Sequence, residues 1–168
     1  MLVYAGDTLA ARGETEAAIE LYQLSATTEP HAGGPARWLE AALSSQLWLM
    51  AATAAEYAGK ATDDDSERAA HLHLAAVIAM DKALNAPRAM AYLRAALAAE
   101  PGHRDAFVRL RLLLEEDAAH DELAEMLSQR LDREEDRVQR IELHRAVADL
   151  HRNFLSDRDV AKRHYRAI

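Results

Sequence analysis

Eight histidines and 28 carboxylates are the groups in this 168-residue chain with the chemistry to hold a metal or move a proton. Their spacing does not assemble a known ligand set. His71 and His73 are two apart, so on a helix they point to different faces. His144 and His151 share a face but lie seven residues apart with no ligand interposed. The HExxH pattern is absent, and Glu142 with His144 lacks the spacing of helical zinc or di-iron sites. Asp63, Asp64 and Asp65 are followed at once by Ser66, Glu67 and Arg68, whereas a calcium loop needs alternating oxygen ligands over about a dozen residues and a turn glycine. The triple aspartate reads instead as negative charge at the start of a helix beginning near Ser66, where exposed amides and the macrodipole favour anions. Glu134 and Glu135 are adjacent, so on a helix they diverge by about 100° on a charged stretch, which does not make an acid–base pair. No glycine-rich phosphate loop or nucleophile elbow occurs, and there is no cysteine. The expectation is a non-enzymatic chain with no cofactor and no metal.

The elements that must position these residues are helices. Ala, Leu, Arg and Glu recur throughout, with only 6 Gly and 4 Pro and 5% aromatic residues, a composition that favours helix at nearly every position. Apolar stripes at three- and four-residue spacing include Leu2, Ala5 and Leu9, then Ala18, Leu21, Tyr22 and Ser25 after Gly13. Later stripes are Phe107, Leu110, Leu113 and Leu114, and Leu123, Met126, Leu127 and Leu131. Asn85 reads as an N-cap with Pro87 in the first turn, and Ser156 as a cap with Asp159 three residues on. The formal charge of −8 argues against nucleic acid, because phosphate binding needs clustered Lys and Arg. The longest apolar run, Leu47 to Ala55, is roughly half of the ~20 residues of a bilayer span, and the first residues lack the charged start of a signal peptide. No membrane association and a cytoplasmic location are the expectation.

Two stretches overlay at a spacing of 71 to 72 residues. Ala18, Tyr22, Ser25, Glu29 and Pro30 fall on Ala89, Leu93, Ala96, Glu100 and Pro101, and a third partial copy begins with Ala161, Tyr165 and Ile168. Between them run weaker hairpins over 36–57 and 107–131. Residues 2–30, with Gly6, Gly13, Ala18, Tyr22 and Pro30 in order, resemble a tetratricopeptide repeat, and 69–101 match it less fully. Alternation of closer and looser copies is similar to long bacterial repeat proteins. The resemblance implies an all-α fold, an α-α superhelix or solenoid of about five antiparallel helix hairpins. It also implies a single domain over 1–168 that belongs to a longer array, since both ends fall within a repeat.

In that family the first helix of each hairpin lines a concave groove that receives a partner peptide. The resemblance therefore implies a protein–protein interaction scaffold whose groove includes Asp7, His71, Leu74, Ile78, Asp81 and Lys82, with Asp149 and Arg152 near the far end. The carboxylate clamp of some members is not expected, because Val3, Asp7, Leu74 and Ile78 occupy its positions. Trp48, among Leu47, Leu49 and Met50, reads as core. Trp38 reads equally as core or as an exposed groove anchor. The acidic N-terminal portion suits a basic or amphipathic protein segment held electrostatically. The alternatives are self-association into a homo-oligomer through open end helices, and service as a sensor arm of a larger multidomain protein.

Overall fold

The computed structural model describes residues 1–168 as ten α-helices joined by short turns, without a strand. They are α1 (Leu2–Ala11), α2 (Thr15–Thr28), α3 (Gly34–Ser44), α4 (Trp48–Lys60), α5 (Asp65–Asp81), α6 (Ala86–Ala99), α7 (Arg104–Glu116), α8 (His120–Leu131), α9 (Arg137–Asn153) and α10 (Arg158–Arg166). A 3-10 turn over Pro30–Ala32 separates α2 from α3.

The backbone records the repeat more plainly than the side chains do. The turn inside every hairpin carries one residue in the left-handed region: Gly13, Gln46, Leu84, Ala118 and Ser156. Gly13 and Leu84 are 71 positions apart, while Gln46 and Ala118, and Leu84 and Ser156, are each 72 apart. Only the first is glycine, the residue that enters this region without a Cβ penalty. Helix caps repeat at the same interval. Asp64 and Asp136 accept from the amides of Glu67 and Gln139, both at 2.8 Å. Asn85 and Asp157 accept from those of Arg88 and Val160, at 3.1 and 3.0 Å. The cap expected at Ser156 therefore sits one residue later, because Ser156 takes the left-handed turn position that Leu84 occupies in the earlier copy. The triple aspartate contributes its middle member, Asp64, as a cap that bonds an open amide of α5.

The chain divides into two compact units, Met1–Leu110 and Arg111–Ile168. In the first, each of α1 to α5 packs on the next in sequence, and α1 also reaches α3 and α2 reaches α4. Small residues make this stacking close. Ala18, Ala42, Ala51, Ala52, Ala54, Ala55, Ala69, Ala75, Ala79, Ala89 and Ala96 are inaccessible, and methyl-sized contacts of this kind are what allow helices to pack closely. A Cβ on Gly6 would fall 2.5 Å from the Tyr22 ring, and one on Gly34 would fall 2.6 Å from Ser25 Oγ and 2.8 Å from the Ala26 amide nitrogen. Glycine at 6 thus seats an aromatic ring on α1, and glycine at 34 lets α3 lie against α2. In the second unit α9 packs against both α8 and α10 around Leu123, Leu127, Leu131, Leu143, Val147, Leu150 and Ala161. Hairpins stacked on their sequence neighbours through small residues are tetratricopeptide-like helical repeats, and the fold is all-α.

Candidate functional site

The second unit carries a groove of about 490 Å³ between α8, α9 and the end of α7. Its floor is Leu123, Leu127, Ala146 and Leu150, which the 3.6-residue period of α8 and α9 turns to one side. At one end the Phe154 ring, itself 56% exposed, stacks on His120 with centroids 3.9 Å apart. The charged rim is nearly balanced, with Arg111 and Arg145 against Glu115, Glu142 and Asp149. Two of these acids are held internally. Glu115 accepts from Arg111 Nε at 2.8 Å, and Asp149 pairs with Arg152 at 3.1 Å while accepting the Tyr165 hydroxyl. That hydroxyl's pKa is raised, chiefly by the bond to Asp149. Such a groove offers an apolar bed with a fixed polar frame, suited to binding rather than to proton transfer.

The residues that the resemblance points to fall in both units. Asp149 and Arg152 are the two in the second unit, Asp149 on the groove rim with Arg152 paired to it. In the first unit Asp7 accepts the Tyr22 hydroxyl at 2.8 Å and meets Arg37 Nε at 3.3 Å. Asp81 lies 3.8 Å from Arg109, and His71 lies 3.9 Å from Glu67, with its Cβ against Gly59 of α4. Leu74 is 38% exposed. Ile78 is buried, at the repeat position where the flanking copies place the aspartate of an Asp–Tyr pair. Trp38 is 5% exposed, its ring 5.6 Å from that of Tyr57, so the structure makes it a core residue and removes it from any surface a partner reaches. Trp48, read from sequence as core, is the more open of the two. It lines a shallow hollow with Leu47, Leu49, Met50 and Ala83, and Lys82 Nζ lies 5.7 Å from its ring centroid. The run Leu47–Met50 looks buried in sequence, yet it opens α4 directly after a turn, where one side of the helix has no neighbour.

Sequence spacing also missed residues that meet across helices. His144 and His164 approach to 3.1 Å between Nδ1 atoms, and both imidazoles are held below their ordinary pKa by burial first and then by neighbouring positive charge. His73 meets His103 with ring centroids 5.0 Å apart and planes tilted by 42°, and its pKa is lowered likewise. No three metal-ligating side chains converge anywhere. No helix is long and apolar enough to cross a membrane.

Neither a family model nor a curated protein matches the chain. Among solved structures, MamA is 17% identical over 96% of this chain and 90% of its own, with a TM-score of 0.47. YrrB, described as a TPR protein with an unusual peptide-binding site, is 12% identical over 98% of this chain and 81% of its own, TM-score 0.46. A thermophilic TPR protein of Thermus thermophilus is 18% identical over 99% and 87%, TM-score 0.37. At such identities these likenesses concern the fold.

Proposed function

We propose that this chain is a non-catalytic protein-interaction scaffold and that the groove between α8 and α9 receives an amphipathic segment of a partner. The observation that carries the reading is a groove whose floor, Ala146 above the nearly buried Leu123, Leu127 and Leu150, ends beside an exposed Phe154. An exposed aromatic ring at the end of a shaped apolar groove is what a binding anchor requires. The charged rim, already paired in part, orients an occupant without demanding one sign of charge. Of the acidic groups expected to attract a basic segment, Asp7, Asp63, Asp64, Asp65 and Asp81, four have internal partners: Asp7 with Tyr22 and Arg37, Asp65 with Arg68, Asp81 with Arg109, and Asp64 at a helix cap. An amphipathic occupant therefore fits better than a purely basic one.

The test is selection of binders from a displayed library of random 16-residue peptides. Recovered sequences are expected to carry a Leu or aromatic anchor and to lose binding to the Ala146→Arg variant, in which a long cation stands in the groove. Recovery of no peptide sensitive to that substitution overturns the reading. Velocity sedimentation at several concentrations covers self-association: a dimer dissolved by Ala146→Arg would make a second copy the occupant.

A further inference from the structure

A second groove, of about 660 Å³, runs along α4 and α6 in the first unit, over the start of α5. Its wall on α6 is Ala91, Ala95, Ala98 and Ala99, faced by Gly59 of α4, with Leu72 and Tyr92 beneath. Three cations and one carboxylate line it, Lys60, Arg68, Arg88 and Glu56, on a chain whose net charge is −8. Two of the cations have acidic partners, Lys60 with Glu56 at 2.7 Å and Arg68 with Asp65.

Arg88 is different. Its half-buried guanidinium donates from Nη2 to Thr53 Oγ1 at 2.7 Å and from Nε to the Tyr92 hydroxyl at 3.0 Å, and no carboxylate lies within ion-pair distance. Thr53 Oγ1 in turn donates to the Leu49 carbonyl at 2.9 Å. The fork is thus locked by neutral acceptors while its charge stays uncompensated and Nη1 has no acceptor. Tyr92 completes the arrangement. It is 6% exposed and its oxygen accepts from Arg88, yet its own proton has no acceptor. Two donors without a protein acceptor are therefore held at one place in a groove, and a charge-assisted bidentate contact is what such a pair supplies to a carboxylate.

We propose that the α4–α6 groove docks an acidic amphipathic helix of a partner protein, one carboxylate of which accepts from Arg88 and Tyr92. The helical form of the occupant follows from the wall. Ala91, Ala95 and Ala98 follow the i, i+4, i+7 row of α6, and methyl-sized ridges admit a neighbouring helix at the close end of the usual packing distance. Its acidity follows from charge complementarity with Arg88, Lys60 and Arg68.

The same displayed library provides the test, with peptides sorted by which substitution abolishes their binding. Those lost on Ala95→Arg but retained on Ala146→Arg report this groove, and they are expected to share an Asp or Glu flanked by apolar residues at helical spacing. Arg88→Gln is expected to weaken them ~30-fold or more, and Arg88→Lys to restore only part of that, since charge without the fork cannot make both bonds. Tyr92→Phe keeps the ring, and hence the core, and still weakens binding; matching circular dichroism spectra establish that each variant is folded. The proposal is overturned if no peptide depends on Ala95, if those that do lack a carboxylate, or if Arg88→Gln and Tyr92→Phe, both folded, bind as the wild type does. A concentration-dependent dimer that Ala95→Arg dissolves would assign the groove to a second copy and overturn it too. Peptides sensitive to Ala146→Arg report the other groove, so the two readings fail separately.

Discussion

Tyr22 and Tyr165 occupy matching positions of the repeat and each donates to an aspartate on the preceding helix, Asp7 and Asp149; in the middle copy the same positions hold Leu93 and Ile78, packed without a polar atom. One inter-helix lock is thus built in two chemistries. Burial and the bond to Asp7 raise the Tyr22 hydroxyl from 10.0 to about 12. In the unfolded chain it ionises near 10, so stability is full below that pH and declines as pH rises towards 12. Tyr22→Phe is expected to cost about 1 kcal/mol at pH 7 and to flatten the alkaline decline, read by thermal unfolding across pH. Gly6→Ala is expected to cost more, about 1–3 kcal/mol, because its methyl meets the same ring. His144 and His164 act at the opposite end of the pH scale. With folded pKa values below the ordinary 6.5, the unfolded imidazoles take up protons first, so stability is full above that value and falls as pH drops through it. Positive groups already near the pair are Arg140, Arg163 and His151, which leaves a proton on either ring poorly placed. His164→Gln is expected to reduce the loss in melting temperature between pH 7 and pH 5.5.

Helix content, the number of helices and the 71–72 period were legible because they rest on apolar periodicity and small residues, which composition displays directly. Turn chemistry was not. Four of the five left-handed turn residues are Gln46, Leu84, Ala118 and Ser156, which announce nothing in sequence, and Ser156 looked like a cap because serine often is one. Ala118→Gly is expected to stabilise by up to about 1 kcal/mol, the left-handed penalty removed less the extra freedom of glycine in the unfolded chain. By contrast Asp136→Ala, which opens the Gln139 amide, is expected to destabilise by about 1 kcal/mol. Both are read from denaturant midpoints at constant slope. The candidate grooves were less legible than the fold. Asp149 was reachable through the repeat register, but Phe154 and His120 meet only once α8 and α9 are packed. Trp38, read equally as core or anchor, is core, and Trp48, read as core, is partly open, because exposure depends on which neighbour a helix face finds, and hydrophobic run length does not contain that information.

For the molecule as a whole, charge is the quantity that separates an electrostatic scaffold from a shape-based one. A net charge of −8 suggests attraction of basic partners, yet many of the carboxylates are engaged within the fold as caps and ion pairs, and exposed pairs of this kind are largely screened by salt. In the α8–α9 groove the rim is close to neutral and the floor is apolar, so the driving force there is removal of hydrocarbon from water. Peptides retained by that groove are accordingly expected to bind within about twofold across 0.05 to 0.5 M sodium chloride, because charges beyond a Debye length contribute little and the balanced rim has little net field to screen. Phe154→Ala is expected to weaken them by about 1–3 kcal/mol, in keeping with the loss of an aromatic anchor. Isothermal titration over the salt series decides the matter: a steep loss of affinity with salt would mean that unpaired charge does the holding, and a tight but salt-blind response that Phe154→Ala abolishes would mean that the shape and apolar floor do.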